Sequence, residues 1–240
     1  MNRATLSSLI LSITVLTVST IGSAFLVQKL AAGNSGFDFL CFGCLASAII
    51  FLPQALTFPK AQKRLFFQLV YFGFLGFSMA WFLLALFFPV FWIVEIGQVG
   101  KLFLFAIFLT VTGFNLALGW RMFNKNWGKV GISVFKTEFK GDARGGDWNE
   151  VMKRIKVHHY IAVPGISRKC ASAVSIALVV FMVVGLNLRT MYPVFSVFAW
   201  GIPAVVMASY FVQVSGSYFA QANQVKKLEA DLGNVLNSTS

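Results

Sequence analysis

The chain has 240 residues, of which 58% are hydrophobic and only 12% are charged, and its formal net charge is +12. A water-soluble domain of this length would hold about twice that share of charged residues. The composition therefore excludes an ordinary soluble domain. The apolar runs between Leu6 and Tyr218 predict an all-α integral membrane protein.

Six apolar runs reach the roughly 17 to 25 residues that a helix needs to cross the hydrocarbon layer. The first run is longer than the roughly 7 to 15 residues of a signal-peptide core, so we expect it to be an uncleaved span. Pro89 should end the third run because its ring and missing N–H disrupt a helix. The last two runs are separated by a few residues and should form an antiparallel hairpin. The predicted spans are Leu6–Leu30, Phe37–Phe58, Leu65–Phe88, Leu102–Met122, Ala171–Leu188 and Tyr192–Tyr218.

The distribution of Lys and Arg predicts the orientation of these spans. If the N-terminus is cytoplasmic, 17 of the 20 basic residues fall in inside segments, which leaves Lys29, Lys101 and Arg189 outside. We therefore expect both termini to lie in the cytoplasm and the protein to lie in the cell inner membrane. A basic face beside anionic lipid also explains the net charge without a nucleic-acid partner.

The spans and the segments between them divide the chain into four parts. Residues 1–122 form a four-helix membrane region, and 123–170 form a small basic cytoplasmic segment. Residues 171–218 are the transmembrane hairpin, and 219–240 are a cytoplasmic helical tail.

The basic segment contains one strand signal and one helix signal. Apolar and small residues alternate between Lys129 and Lys140, which indicates a short strand. Further on, Asp147 is placed to cap a helix and Glu150 to reach back to the cap. The apolar stripe of that helix lies either along the inner leaflet or against the cytoplasmic ends of the spans. The stripe consists of Trp148, Val151, Met152 and Ile155.

The tail after the sixth span is also amphipathic. Lys227 and Asp231 are four residues apart and can pair across one helical turn. The apolar residues of the tail either offer a seam for another helix or continue the sixth span. They are Val225, Leu228, Leu232 and Val235.

Cys41 and Cys44 form a Cys-x-x-Cys motif near the outer end of the second span. Such a pair can close a disulfide, and the outer side of a bacterial inner membrane is oxidising. The motif and its position resemble the DsbB-type membrane thiol oxidases, and the resemblance implies electron transfer from these thiols to a quinone. That family also has a second outer cysteine pair and an Arg soon after the motif. Here the third cysteine is Cys170, on the predicted cytoplasmic side, and residues 45–51 contain no basic residue. Alternatively, Cys41 and Cys44 are small packing residues on one helix face.

Ionisable residues are missing from the interior of the six runs, which disfavours a proton-coupled transporter. The polar side chains of Gln68, Asn115 and Gln213 are expected to hydrogen-bond between helices. The adjacent His158 and His159 would point about 100° apart on a helix, so they should not share one metal ion. We therefore predict no catalytic residue, no metal and no cofactor, except the quinone of the redox alternative.

Helix-packing signals are more abundant than chemical ones. Small residues line the first span from Ser8 to Ser23, and Gly73, Gly76 and Gly119 offer points of close approach. Phenylalanine covers every face of the third span, which suits either lipid contact or a protein partner. The candidate interaction residues are Phe74, Phe77, Trp81, Trp148, Val225, Leu228 and Leu232.

The leading hypothesis is a non-enzymatic inner-membrane protein that acts by protein–protein interaction. Its partner would be a membrane or secreted protein, as for an immunity or exclusion factor or an assembly subunit of a membrane complex. One alternative is a DsbB-like thiol oxidase that uses Cys41 and Cys44. The other is a channel or passive transporter subunit, which would form its pathway as a homo-oligomer in contact with membrane lipid.

Overall fold

The described residues are helical almost throughout. A computed structural model describes residues 3–31, 33–139, 147–163 and 170–237; it is 87% helical and has no strand within those ranges. The predicted all-helical class is confirmed. The elements are α1 (Arg3–Leu30), α2 (Ser35–Ala61), α3 (Leu65–Phe87), a 3₁₀ helix (Phe88–Trp92), α4 (Gln98–Asn126), a π-helix (Trp127–Gly131), α5 (Ile132–Phe139), α6 (Trp148–Ile155), α7 (Ala171–Leu188) and α8 (Pro193–Leu232).

Five of these helices are long and apolar enough to cross a membrane: α1, α2, α3 with the 3₁₀ helix, α4 and α8. Helix α7 is apolar but shorter, at the lower limit of membrane-crossing length. It forms the predicted antiparallel hairpin with α8: the Ser196 hydroxyl donates to the Gly185 carbonyl at 2.9 Å, and the Phe181 and Phe195 rings are 5.8 Å apart. Pro89 lies in the 3₁₀ helix directly after α3, as predicted.

The long helices alternate in direction, so one end of the bundle gathers the beginnings of α1 and α3 and the ends of α4 and α8. Thr5, Leu65 and Gln221 line one cavity at this end. We call it the basic end because most Lys and Arg lie in the helix termini and connections there, and we call the opposite end the far end. The far end carries Lys29, Lys101 and Arg189.

Helices α3 and α8 form the centre of the bundle. In each, 56% of the most apolar stretch is buried, against 17% in α2 and α4. Helix α3 is therefore more buried than a span that mainly faces lipid or a partner, although Phe82 is 47% exposed. Its glycines explain the difference: a Cβ on Gly73 would lie 2.6 Å from the Phe219 ring, and one on Gly76 would overlap the Ser215 hydroxyl. Without side chains at these positions, α8 approaches α3 closely.

The small-residue stripe of α1 packs against α2 and α3, as predicted. The Ser12 hydroxyl donates to Ser78 at 2.7 Å, and the Gln54 amide donates to the same oxygen at 2.6 Å. Nearby, the Ser8 and Tyr71 hydroxyls are 2.9 Å apart. Polar side chains thus bond to one another across the buried contacts of the first three helices, although Gln54 Oε1 has no partner among the described residues.

The predicted strand near Lys129 is helical instead, as the π-helix followed by α5. Phe135 and Phe139 are four residues apart, both buried, and their rings stack at 4.4 Å. The alternating Val130 and Ile132 are exposed. Helical spacing therefore buries the two large rings, which outweighs a short run of alternating small residues.

Helix α8 continues the sixth span into the tail for 40 residues, or about 60 Å. It ends at Leu232, before Val235, because Gly233 adopts a left-handed conformation with φ of 64°. The chain then turns back, and the Leu236 carbonyl accepts the Leu65 N–H at 3.0 Å. The tail is a continuation of the span that folds onto the start of α3.

Candidate functional site

Helix α6 covers the basic end of the bundle. Its first turn is capped as predicted, since the Asp147 carboxylate accepts the Asn149 N–H at 2.8 Å. The side chain of Glu150 is ion-paired with Lys153 one turn further on. The apolar stripe is buried at Trp148, Val151 and Ile155. Of the two interpretations offered for this helix, packing on the ends of the spans is therefore the one observed.

Trp148 fixes α6 to the two helices beneath it. Its indole N–H donates to the Gln221 side-chain oxygen at 3.1 Å, and its ring lies 5.7 Å from that of Trp127. A buried indole needs such an acceptor, because an unpaired N–H is costly in an apolar setting. Both contacts hold α6 over the space between α3 and α8.

Lys156 ends α6 in a left-handed conformation with φ of 52°, and the chain then runs back along the bundle as residues 157–163, which we call the strap. Two fully buried side chains hold it. The Gln213 side-chain oxygen accepts the Tyr160 N–H at 3.0 Å, and the Asn115 amide donates to the Ala162 carbonyl at 2.9 Å.

Asn115 and Gln213 are also bonded to each other, through a 3.3 Å contact between the Gln213 amide and the Asn115 side-chain oxygen. Their predicted role as interhelical partners is confirmed, and we call this pair the clamp. A close approach of α4 and α8 brings the pair together: a Cβ on Gly119 or on Gly216 would overlap a carbonyl of the other helix. The clamp therefore links two membrane-length helices to a segment that belongs to neither.

A cavity of about 880 Å³ lies between α3, α8, α6 and the strap. Along α8 its lining runs from Gln221 to Tyr210, eleven residues or about 16 Å. Gln221 lies under α6, whereas Tyr210 lies deeper in the bundle and is 38% exposed. The cavity thus reaches from the basic end into the depth of the membrane-crossing region. The lining residues are Thr5, Leu65, Gln68, Leu69, Phe72, Asp147, Trp148, Asn149, Met152, Lys153, Val157, His159, Tyr210, Val214, Ser217, Tyr218 and Gln221.

Two buried polar atoms in this lining have no hydrogen-bond partner among the described residues: Ser217 Oγ and His159 Nε2. The Ser217 side chain is only 1% exposed. An unpaired buried donor or acceptor costs about 1–3 kcal/mol, and most proteins avoid it. Two residues of the cavity lining thus each keep a buried polar atom that the described residues leave unsatisfied.

His159 is neutral at neutral pH. Burial lowers the pKa of its imidazole below the ordinary value of 6.5, and the charge of the neighbouring His158 lowers it further. The Tyr210 ring stands edge-on to His159 at 6.3 Å. A neutral imidazole can donate or accept a hydrogen bond at Nε2, depending on its tautomer.

The cavity contains serine, histidine and aspartate, but they do not form a nucleophile and its base. Within the described ranges neither Ser217 Oγ nor His159 Nε2 has any partner, so the two are not bonded to each other. The Asp147 carboxylate caps α6. A serine nucleophile needs a base within hydrogen-bond reach.

Cys41 and Cys44 lie on the exposed side of α2 as thiols. The inward positions of the same turns belong to Phe42, which packs in the apolar core, and Gly43, where a Cβ would lie 2.5 Å from a Thr20 methyl group. The two thiols therefore face the surroundings of the bundle and are not packing residues between helices. Whether they carry out redox chemistry stays a prediction.

The predicted interaction residues are mostly used inside the chain. Trp81, Trp148 and Val225 are buried, and Leu228 is half-buried. Phe74 and Phe77 are half-buried against the Phe219 ring, at 5.3 and 6.0 Å. Leu232 is the exposed member of the set.

Sequence reasoning considered His159 only as a metal ligand and did not single out Ser217. A signal for Ser217 was present: polar residues recur at every fourth position of an otherwise apolar helix. All four are buried on α8. They are Ser209, Gln213, Ser217 and Gln221.

Within the part of the chain that the structure describes, no three His, Cys, Asp or Glu side chains are grouped so that they could hold a metal ion. Comparison of the chain with protein-family models, curated proteins and solved structures gives no match.

Proposed function

We propose that this chain is a multi-pass protein of the cell inner membrane, with six spans and both termini in the cytoplasm, that acts by binding and catalyses no reaction. In this proposal the basic-end cavity takes up an amphipathic molecule from the bilayer. One observation carries it: a cavity of about 880 Å³ combines an apolar wall with Ser217 and His159, two lining residues that each bury a polar atom without a partner among the described residues.

The dimensions of the cavity fit this role. Ligand sites commonly have volumes of about 300–1,000 Å³ and combine an apolar lining with a few converging polar groups. Here the apolar part of a ligand would lie against Leu69, Phe72 and Val214. Exposure of Tyr210 at the deep end supports entry from the bilayer.

Native mass spectrometry of protein released from its own membrane tests the proposal. We expect a co-purifying molecule of defined mass on the wild-type protein and a clear loss of it from Ser217→Phe, in which the cavity is filled. Ser209→Ala is the matched control, because Ser209 lies on the same helix with its hydroxyl bonded to its own helix at the Val206 carbonyl. Equal binding to the wild type and to Ser217→Phe would refute the cavity as the site.

A second candidate function is the interaction with a membrane or secreted protein, as in immunity, exclusion or complex assembly. Helix α7 favours it, because α7 packs chiefly on α8 and is apolar on its remaining faces. Ile176 is 66% exposed, and Val179, Val180 and Val183 are exposed beside it. A helix held by one neighbour leaves most of its surface to lipid or to a partner.

Site-directed photocrosslinking in living cells separates these two environments of α7. A crosslinker at Val180 should give a discrete protein adduct, while the same crosslinker at Leu56, which is exposed on α2, should give lipid adducts only. Lipid adducts alone at both positions would count against a partner on α7.

A further inference from the structure

We infer that the outer face of the helix that leaves the fourth span binds phospholipids with a net negative head group, in the leaflet at the basic end. This face carries three cations in one row, Arg121, Lys125 and Lys129, which we call the basic row. The inference goes beyond the proposed cavity and rests only on that part of the proposed function which places α4 across the membrane. It names a surface of the protein and the class of lipid that covers it.

The position of the basic row follows from the periodicity of one continuous helix. Residues Gln98–Phe139 run without a break through α4, the π-helix and α5. The cations of the row each lie two residues after a buried position, or about 200° around the helix, and all three are exposed. The row therefore points away from the rest of the chain. The buried positions recur at every fourth residue and include Gly119, Phe123, Trp127, Gly131 and Phe135.

The basic row begins where the apolar part of α4 ends. Trp120 directly precedes Arg121 and is 39% exposed, and exposed tryptophan rings favour the level of the lipid head groups. Lys129 lies about 12 Å beyond Arg121 along the helix. Helical side chains lean toward the N-terminus of their helix, which for α4 is the membrane side, and long basic side chains extend their charge toward the head groups. All three cations are therefore within reach of the head-group layer.

The charges near the basic row leave it available to an external anion. Residues 98–137 contain no Asp or Glu. Within the described ranges the ion pairs join Lys153 to Glu150 and Arg154 to Glu138, and neither pair involves the row. A phospholipid with a net negative head group would supply the missing counter-charge. Phosphatidylcholine would not, because its own quaternary ammonium cancels the charge of its phosphate.

Two photoactivatable lipids that differ only in the head group test the inference on the full chain in phosphatidylcholine nanodiscs. One is a phosphatidylglycerol and the other a phosphatidylcholine, and both carry a diazirine close to the glycerol. At low ionic strength we expect the phosphatidylglycerol probe to label residues 114–132 about threefold more than the phosphatidylcholine probe, because each Lys or Arg beside an anionic surface strengthens binding up to about fivefold. High salt should reduce this ratio, since it screens exposed charges.

A charge-matched pair of variants locates the effect. Arg121→Gln combined with Lys125→Gln should lower the labelling ratio toward one. Lys226→Gln combined with Lys227→Gln is the control, because it removes the same charge from exposed positions of α8 at the same end of the bundle. The control should leave the ratio at residues 114–132 unchanged.

The outcomes separate this inference from the function on which it rests. Equal labelling by both probes on the wild-type protein, which needs no variant to fold, would overturn the anionic lipid as the occupant of this face. A ratio that survives Arg121→Gln with Lys125→Gln, or that the control lowers equally, would overturn the basic row as its cause. Failure of the chain to enter nanodiscs would instead contradict the membrane insertion of α4. The contents of the basic-end cavity affect none of these outcomes.

Discussion

The two ends of the bundle are built from similar residues but use them differently. At the far end aromatic rings pack between α2 and the 3₁₀ helix: Phe39 lies 5.0 Å from Trp92, and Phe42 lies 5.2 Å from Phe88. The cavity between α1 and α2 at this end is smaller, at about 390 Å³. At the basic end Trp148 and its neighbours instead bound a cavity of about 880 Å³. Filled interiors stabilise a fold, whereas a polar-lined space costs stability.

The polar groups of the two ends differ in the same way. At the far end the Trp81 indole N–H donates to the Thr20 hydroxyl at 3.2 Å. At the basic end Ser217 and His159 each keep a buried atom without a partner within the described ranges. Two of the three unsatisfied buried side-chain atoms of the described residues thus belong to lining residues of this cavity, and the third is Gln54 Oε1 between the first three helices. The comparison contrasts the packed rings of the far end with the proposed binding cavity of the basic end.

The largest expected effect comes from Phe39→Ala at the far end. Phe39 is fully buried between Phe42 and Trp92. Its loss should lower the free energy of unfolding by about 3 kcal/mol. This value is at the low end of the range for a buried ring, because the unfolded chain remains in lipid. The control is Phe72→Ala in the cavity wall, which should cost about 1 kcal/mol because space beside the ring already exists. Denaturant titration in mixed micelles measures both, and equal losses would contradict the division between the two ends.

The next effect comes from the clamp. Asn115→Leu removes the hydrogen bonds to Gln213 and to the Ala162 carbonyl. It should lower the free energy of unfolding by about 1–2 kcal/mol. Hydrogen exchange of the strap should rise. Gln224→Leu is the matched control: Gln224 bonds Asn124 between the same two helices at 3.1 Å without touching the strap. Faster strap exchange in both variants would show that the clamp is not what holds it.

A pH-dependent effect should come from His159. Because burial depresses the pKa of His159 below 6.5, the unfolded state takes up a proton more readily than the folded state as the pH falls through 6.5. The contribution of His159 to the free energy of unfolding should therefore be constant at pH values above 6.5. At lower pH the free energy of unfolding should decrease. The variant His159→Gln should abolish this contribution to the decrease at low pH, while His158→Gln should only make the decrease smaller. An unchanged profile in His159→Gln would contradict the neutral buried imidazole.

A smaller change, which increases the free energy of unfolding, is expected at the turn that joins α6 to the strap. Lys156 is a non-glycine residue with φ of 52°, which costs about 1–2 kcal/mol in a left-handed conformation. Lys156→Gly should raise the free energy of unfolding by up to about 1 kcal/mol. Lys153→Gly, inside α6, should lower it by about that amount. Destabilisation by both changes would show that the turn is not strained.

The smallest effect is expected at the exposed thiols. Cys41→Ser and Cys44→Ser should each change the free energy of unfolding by less than about 0.5 kcal/mol, because neither side chain packs in the core. Differential alkylation followed by mass spectrometry reports their state in native membranes. Two free thiols would argue against the thiol-oxidase alternative, and a disulfide between them would support it.

The long helices were predictable because apolar runs of this length favour membrane-crossing helices. Each of the six runs corresponds to an observed helix, and five of these helices are long and apolar enough to cross a membrane. The roles of Asn115 and Gln213 followed from the cost of polar groups in lipid. The central place of α3 did not follow, since phenylalanine on every face carries no information about neighbouring helices. The cavity was also hidden, because it depends on the strap, which Asn115 bonds from 47 positions away in sequence.

The most direct test of the account is an experimental density map of the full chain in nanodiscs made from its native lipids. We predict density for a bound molecule in the cavity between α3 and α8. A cavity closed by movement of α6 and the strap onto α8, with Ser217 bonded to protein atoms, would contradict the claim that the basic end is a binding site.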